Sequence, residues 1–531
     1  MTEEETAGLS PLAALAARHG WLPWAILITA SLGAILEVID VSIVNVALTH
    51  MQGNLGATLS EVSWVITGYS VANVIIIPLT AWLGRRFGRK TYFMFSLLLF
   101  IGSSMLCGLA SNLAVLVFAR ILQGLGGGVL LSNAQSVIFE NFPPHKRGVA
   151  QAVFGMGVIA GPAIGPTLGG YLTDTLGWRW IFFINLPVGI IAVLLTATFF
   201  PPDKRTDKEA GKVDWAGIGL LTVGLGCLQT ILEEGQKDDW FASRFITSMA
   251  LTSGVSLLLF VWRELHVAQP AVDLRVLRYR SVSAGSLYSI VLGAGLYGVI
   301  FAVPVFAQNY LHFNAMQTGN LLGPGAFTSL IAMVLLAKLT SIFDPRWLVA
   351  TGGLLTAGVA FSLAQITPET GTSDLFWPLV MRGGSSVFMF LPLSLATLGP
   401  VPKKDVAAAS GIYNLTRQLG GSFGIAVMTA LLARRQAAHE SILAEKITIF
   451  SQAAMERLQA FTSSFDAHGG DPYTAQQQAL TAMKGLIQAQ AGVLSYADIF
   501  RMVGFGFIFT LPILLLLGRP NKSTPPPIDA H

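Results

Sequence analysis

Long apolar runs divide this sequence, and they constrain the fold more than any single motif does. Taking about 18 residues as the minimum that crosses a bilayer, fourteen runs qualify, beginning near residues 24, 61, 92, 114, 148, 181, 213, 245, 282, 318, 346, 375, 405 and 500. We number them spans 1 to 14. A backbone in hydrocarbon must satisfy its own hydrogen bonds, so the expected class is an all-α membrane protein. Composition agrees. Of 531 residues, 53% are hydrophobic and 12% charged, where a soluble domain carries about a quarter charged. The first run is too long for a signal-peptide core and no small-residue cleavage site follows it, so span 1 is expected to remain in the mature chain.

The connections alternate in charge. Those between spans 2 and 3 (Arg85, Arg86, Arg89, Lys90), 4 and 5 (Lys146, Arg147), 6 and 7 (Lys204, Arg205, Lys208, Lys212) and 8 and 9 (Arg263, Arg275, Arg278, Arg280) are basic. So are those between 10 and 11 (Lys338, Arg346) and 12 and 13 (Lys403, Lys404), whereas 50–60 and 110–112 carry almost no charge. Basic loops stay on the cytoplasmic side, which places both termini there. A missed or invented helix would swap the alternation downstream, and no swap occurs.

The span 4–5 connection (Phe142 to Arg147) is echoed at spans 12–13 (Gly399 to Lys404), each followed by a glycine-rich span. This suggests two repeated six-helix bundles. The expected organisation is a cytoplasmic segment 1–23, a first bundle 24–200, a linker with two extra transmembrane helices 201–281, a second bundle 282–518 and a cytoplasmic tail 519–531. Within the second bundle, 433–498 lies outside. There Leu480, Met483, Ile487 and Leu494 recur at helical spacing. The run Gly469, Gly470, Asp471, Pro472 separates them from Ile447, Phe450, Met455 and Leu458. An exposed helical hairpin or lid fits this pattern, and a solvated linker fits it nearly as well.

Two carboxylates, Glu37 and Asp40, lie deep in span 1. Inserting such a group costs roughly 2.5 to 3.5 kcal/mol or more, so it marks a functional site by default. Residues three apart share a helix face. At 1.5 Å per residue from Trp24 the two lie about 20 and 24 Å deep, past the midplane of a core about 30 Å thick. Arg120 in span 4 is the natural partner for either one. A purely structural ion pair is the plainer reading; proton coupling is favoured, because water access and a nearby cation both set a carboxylate's proton affinity.

For the other buried cations, Arg382 and Arg417, structural and functional roles are equally compatible. Trp64, Tyr69 and Asn73 in span 2 and Tyr297, Phe301 and Gln308 in span 9 could line a cavity for bulky apolar or cationic compounds. Aromatic residues in membrane helices also serve packing and interface anchoring. Span 5 repeats Gly157, Gly161, Gly165 and Gly169, with Pro162 and Pro166 interleaved. Such a ladder lets a second backbone approach closely while the prolines bend the helix, and we expect it to form a moving seam between the two bundles.

Several chemistries are excluded. Gly155, Gly157 and Ala160 match a dinucleotide pattern but sit within a span with no preceding strand. Gly420, Ser422 and Gly424 match a hydrolase elbow, yet no histidine occurs in a span to act as its base. There is no phosphate-binding G-x-x-x-x-G-K-[ST] for ATP hydrolysis. Cys107 and Cys227 lie in apolar runs and read as small buried hydrophobes, so neither a disulfide nor a metal site is expected.

The motifs resemble the major facilitator superfamily, and within it the fourteen-span drug:proton antiporters of the EmrB/QacA type. Residues 39–48 (IDVSIVNVAL) are similar to the family's span 1 signature, whose aspartate is implicated in coupling. Arg120, Gln123, Gly124 and Gly126 resemble its span 4 motif, Gly161 and Pro162 its antiporter motif, and residues 178–187 (WRWIFFINLP) its start of span 6. Arg85 stands where the cytoplasmic loop motif usually has an acidic residue, although Gly88 and Arg89 are kept.

The resemblance implies two six-helix bundles with two inserted helices, in the bacterial inner membrane. It implies proton-coupled efflux of hydrophobic or amphipathic compounds by alternating access, with Asp40, Glu37 and Arg120 coupling. Gln123 and Arg417 are further candidate substrate contacts. The chain would be no enzyme, use the proton gradient with no cofactor or metal, and bind no nucleic acid. A periplasmic adaptor and an outer-membrane channel are compatible partners. Export of one dedicated metabolite and a transport-inactive receptor are the alternatives.

Overall fold

The computed structural model describes residues 9–203, 213–448, 450–467 and 471–517. The span 6–7 loop cations Lys204, Arg205, Lys208 and Lys212, the glycines 469 and 470, most of the N-terminal segment's first residues and the tail 519–531 lie outside them. Among the described residues every regular element is helical. Thirteen of the described helices are long and apolar enough to cross a membrane. They include span 1 (Leu22–Leu55), span 2 (Ser60–Phe87), span 3 (Arg89–Gly108), span 4 (Leu113–Asn141), span 5 (Pro144–Thr175) and span 6 (Trp180–Phe199). Val406–Glu445, the expected span 13, is 40 residues long but more polar, and is not among the thirteen.

In the first bundle span 1 packs against spans 4, 5 and 6, and span 2 against span 4. In the second, span 9 (Arg280–Tyr310) packs on span 13, and span 12 (Thr372–Leu398) on span 10 (Ala315–Ile342) and span 11 (Pro345–Leu363). The bundles meet where span 5 lies along span 10 and span 4 touches span 13. Hydrogen bonds join them toward the basic ends of these helices. Gln135 donates to Ser394 (2.7 Å), Asn414 donates to Gln135 (2.7 Å), and Arg147 donates to the Gly399 carbonyl (3.1 Å).

The glycine ladder corrects one expectation. A side chain at Gly161 would meet Val38 at 2.7 Å, one at Gly165 the Ile43 nitrogen at 3.2 Å, and one at Gly169 the Ile43 carbonyl oxygen at 2.9 Å. Gly157 likewise faces Ile35. The ladder therefore fixes span 5 to span 1 inside the first bundle and is not the seam between bundles. Ser42 donates across it to the Gly161 carbonyl (3.3 Å). The seam uses another face of span 5, where Gly148 meets span 10 at Ala337 and Thr340, and Gly155 meets Met333. A four-residue repeat identifies a close-packed face without naming the helix that fills it.

The inserted helices do more than link. Span 7 (Trp215–Glu234) packs on span 8 (Arg244–His266), runs along span 2 and touches span 13. Gln229 donates to Ser422 of the second bundle (2.8 Å), while Glu234 accepts from Thr67 (2.6 Å) and Ser63 (3.3 Å) of the first. Glu234 is buried at the end of its span, where hydropathy does not reveal it.

On the outer side, spans 13 and 14 do not stop at 433 and 498. Val406–Glu445 and Pro472–Thr510 run straight through, joined by the helix Gln452–Asp466. At 1.5 Å per residue, helices of 40 and 39 residues span about 60 Å, twice a hydrocarbon core. Asp498 of span 14 meets His439 Nε2 of span 13 at 2.9 Å, and within its own helix it pairs with Arg501 Nη1 at 3.0 Å. The expected hairpin is thus a helical extension of two spans.

At the basic end, Gly88 turns the chain between spans 2 and 3 with φ +88°, a conformation that favours glycine. Asp203, after span 6, accepts from the Lys90 and Thr91 backbone nitrogens (2.9 and 3.0 Å) and the Thr91 hydroxyl (2.7 Å). It thereby supplies the negative charge that a helix N-terminus attracts. Arg89 pairs with Glu140 at the end of span 4. Arg85 leaves the turn with no acid of its own at that position, and Asp203 and Glu140 anchor this turn. Asp203→Ala should lower thermal stability by about 1 kcal/mol, as loss of a helix cap does; an unchanged melting midpoint in detergent would show that the carboxylate holds nothing.

Candidate proton-coupling site

The site is assembled by spans 1, 2, 4 and 6. Glycines in span 4 permit it. A side chain at Gly124 would meet Ala72 at 3.0 Å, and one at Gly128 the Asn73 carbonyl oxygen at 2.7 Å, so span 2 can lie close enough to bring Tyr69 and Asn73 over the carboxylates.

Asp40 is completely buried, as are Arg120 and Gln123 to within 1%. Its Oδ2 accepts from Arg120 Nη1 at 2.5 Å, and its Oδ1 accepts from Gln123 Nε2 and Asn185 Nδ2, each at 2.8 Å. Arg120 also donates to Gln123 Oε1 (2.7 Å) and, through Nε, to the Val65 carbonyl (3.1 Å). The Tyr69 ring lies 4.2 Å from the guanidinium carbon and Phe182 lies 5.8 Å away. A charged pair survives burial only when its remaining donors and acceptors are also satisfied, and here three donors converge on one carboxylate.

Glu37 belongs to a separate set. Its Oε1 accepts from Asn73 Nδ2 (3.0 Å) and its Oε2 from the Leu131 backbone nitrogen (3.1 Å). The sequence left Arg120 open to either acid, and the structure pairs it with Asp40. Arg417, from the second bundle, has its guanidinium 5.4 Å from the Phe390 ring, and among the described residues its Nε has no hydrogen-bond partner. Arg382 Nε, in the second bundle, is likewise buried without a partner among the described residues.

The structure places the candidate substrate-lining residues in different surroundings. Tyr69, Asn73 and Gln123 are buried in the carboxylate network. Trp64 is exposed at the start of the main span 2 helix, Tyr297 packs against Gly421, and Phe301 and Gln308 lie exposed on span 9. A cavity of about 790 Å³ opens instead at the basic end, lined by Gly88 and Arg89 but by none of these candidates. Sequence reasoning missed Asn185 as a ligand of Asp40, and Ser104, which accepts from Asn185 at 3.0 Å. The polar Asn185 within residues 178–187 was the available signal.

A buried carboxylate paired with an arginine inside one of two helical bundles is the arrangement of a secondary transporter. The sequence model of the Major Facilitator Superfamily matches residues 30–425. Multidrug export protein EmrB of Escherichia coli (strain K12) is 34% identical over 94% of this chain and 95% of its own. Fatty acid resistance protein FarB of Neisseria gonorrhoeae is 33% identical over 93% and 96%, and colistin resistance protein EmrB of Acinetobacter baumannii 30% over 94% and 97%. Among solved structures, the human organic anion transporter MFSD10 aligns with a TM-score of 0.56 at 14% identity, covering 91% of this chain and 99% of its own. The proton:xylose symporter XylE gives 0.54 at 15%, covering 91% and 96%; at such identities these two show the fold alone.

The chain belongs to the major facilitator superfamily, and within it to the EmrB/QacA-like drug:proton antiporters. It is a multi-pass protein of the bacterial inner membrane, in a family of transporters and not of enzymes.

Proposed function

We propose that this protein is a multidrug efflux transporter that exports hydrophobic or amphipathic compounds in exchange for inward-moving protons. The observation that carries the coupling is the fully buried Asp40 held by Arg120, Gln123 and Asn185. Alternating access changes the water and the donors around such a carboxylate, and so changes its hold on a proton. When Asp40 takes a proton, Arg120 keeps Gln123 Oε1 and the Val65 carbonyl as partners, so the cation is never wholly abandoned. Glu37 is a second carboxylate that shares the proton or meets a cationic substrate. The proton gradient supplies the energy, with no cofactor and no catalysis by the chain. The outer extension of spans 13 and 14 offers a periplasmic adaptor, and through it an outer-membrane channel, a place to attach.

The test is a growth screen in an efflux-deficient host over a broad compound panel, with wild type beside Asp40→Asn. Wild type should raise tolerance to several chemically unrelated apolar compounds and the variant to none. Protection against a single compound would assign a dedicated exporter, and protection against none would remove the reading.

A further inference from the structure

The 790 Å³ cavity at the basic end lies between the bundles, within the size range of small-molecule sites. Its walls carry six basic side chains: Arg85, Arg86 and Arg89 from the span 2–3 turn, Arg275 from the span 8–9 connection, and Lys403 and Lys404 from the span 12–13 connection. Three acidic residues also line it, and each is committed. Glu140 pairs with Arg89, Asp203 accepts from the Lys90 and Thr91 nitrogens, and Asp273 accepts from the Arg275 nitrogen. Asp405, next to Lys404, accepts from the Tyr279 hydroxyl (2.7 Å). Among the described residues, Arg85, Lys403 and Lys404 pair with no carboxylate. Polar Thr80, Asn133, Ser136 and Gln269 and the aromatic Trp82 and Tyr92 also line it.

Arg85 belongs to the first bundle and the two lysines to the second, so like charges from both bundles line one cavity, beside a seam held shut by Gln135, Ser394 and Asn414. Repulsion across the mouth opposes that closure. Their charge places these loops on the cytoplasmic side, where basic pockets between helices take anionic groups.

We propose that this cavity binds a phosphate-bearing anion, which bridges Arg85 to Lys403 and Lys404 and stabilises the closed cytoplasmic end. The anion supplies negative charge to Arg85, Lys403 and Lys404, which among the described residues pair with no carboxylate. A phospholipid headgroup and a soluble phosphate share this chemistry.

The purified full-length chain is melted in neutral detergent with added phosphatidylglycerol or cardiolipin, with phosphatidylcholine, and with inorganic pyrophosphate. Wild type should melt several degrees higher, saturably, with an anionic species and not with phosphatidylcholine. A response to lipid alone assigns the headgroup, and a response to pyrophosphate assigns the soluble anion. Each basic group near an anionic surface contributes about 1 kcal/mol, roughly a factor of five, so Arg85→Gln/Lys403→Gln/Lys404→Gln should weaken the apparent affinity on the order of 100-fold. If that variant does not fold, Arg85→Asp supplies the charge in place and should melt no lower than wild type without anion while losing most of the response. No anion response in wild type, or an undiminished one in the variant that folds, overturns the proposal. The readout is binding and does not depend on what the protein exports.

Discussion

Asp40→Asn is expected to abolish proton-driven efflux from inverted vesicles, because asparagine keeps the volume but cannot carry the proton. It should also destabilise the first bundle. Arg120 would remain buried at 1% exposure without a counter-charge, and breaking a buried pair from one side costs about 3 to 5 kcal/mol. Asparagine retains one acceptor, so the lower end applies. A second variant separates the two effects. Asp40→Asn with Arg120→Met removes both charges at similar volume, which should recover most of the thermal stability while leaving efflux absent. Recovery of efflux in the double variant would show that the pair only holds helices together.

Gly161→Leu is expected to have the next largest effect. A Cβ there already reaches 2.7 Å from Val38, and the rest of a leucine has nowhere to go unless spans 1 and 5 separate. Overpacking of a tight interior costs about 1 to 3 kcal/mol. The displaced segment carries Glu37 and Asp40 on the same helix, so transport should fall with stability, whereas Gly161→Ala should be milder in both. Wild-type melting and efflux in Gly161→Leu would mean that the ladder is not a close contact.

Much of the architecture is legible in the sequence because hydrocarbon imposes a simple rule on each segment separately. Apolar length and loop charge therefore locate most spans and orient them. Span 13 is less visible: its apolar run is broken by Arg417 and polar residues that face the other helices, and it continues as a polar helix to Glu445. The carboxylates stand out since nothing else in span 1 is charged. Their partners are harder to read, because Arg120, Gln123 and Asn185 meet Asp40 through contacts 80 to 145 residues apart in the chain. Periodicity also finds the Gly157–Gly169 face but not its occupant, which proves to be span 1. Asp203 and Glu234 lie at span ends, where a charged residue is unremarkable until the structure shows what it binds.

The central claim is that Asp40 exchanges its proton as substrate binds. The direct measurement is proton release from the purified, weakly buffered protein, followed with a pH-sensitive dye, on adding a compound that the growth screen identifies as exported. Wild type should release protons in proportion to the compound bound, and Asp40→Asn with Arg120→Met should bind without release. Release by that variant equal to wild type's, or none from wild type while it binds, would contradict the account.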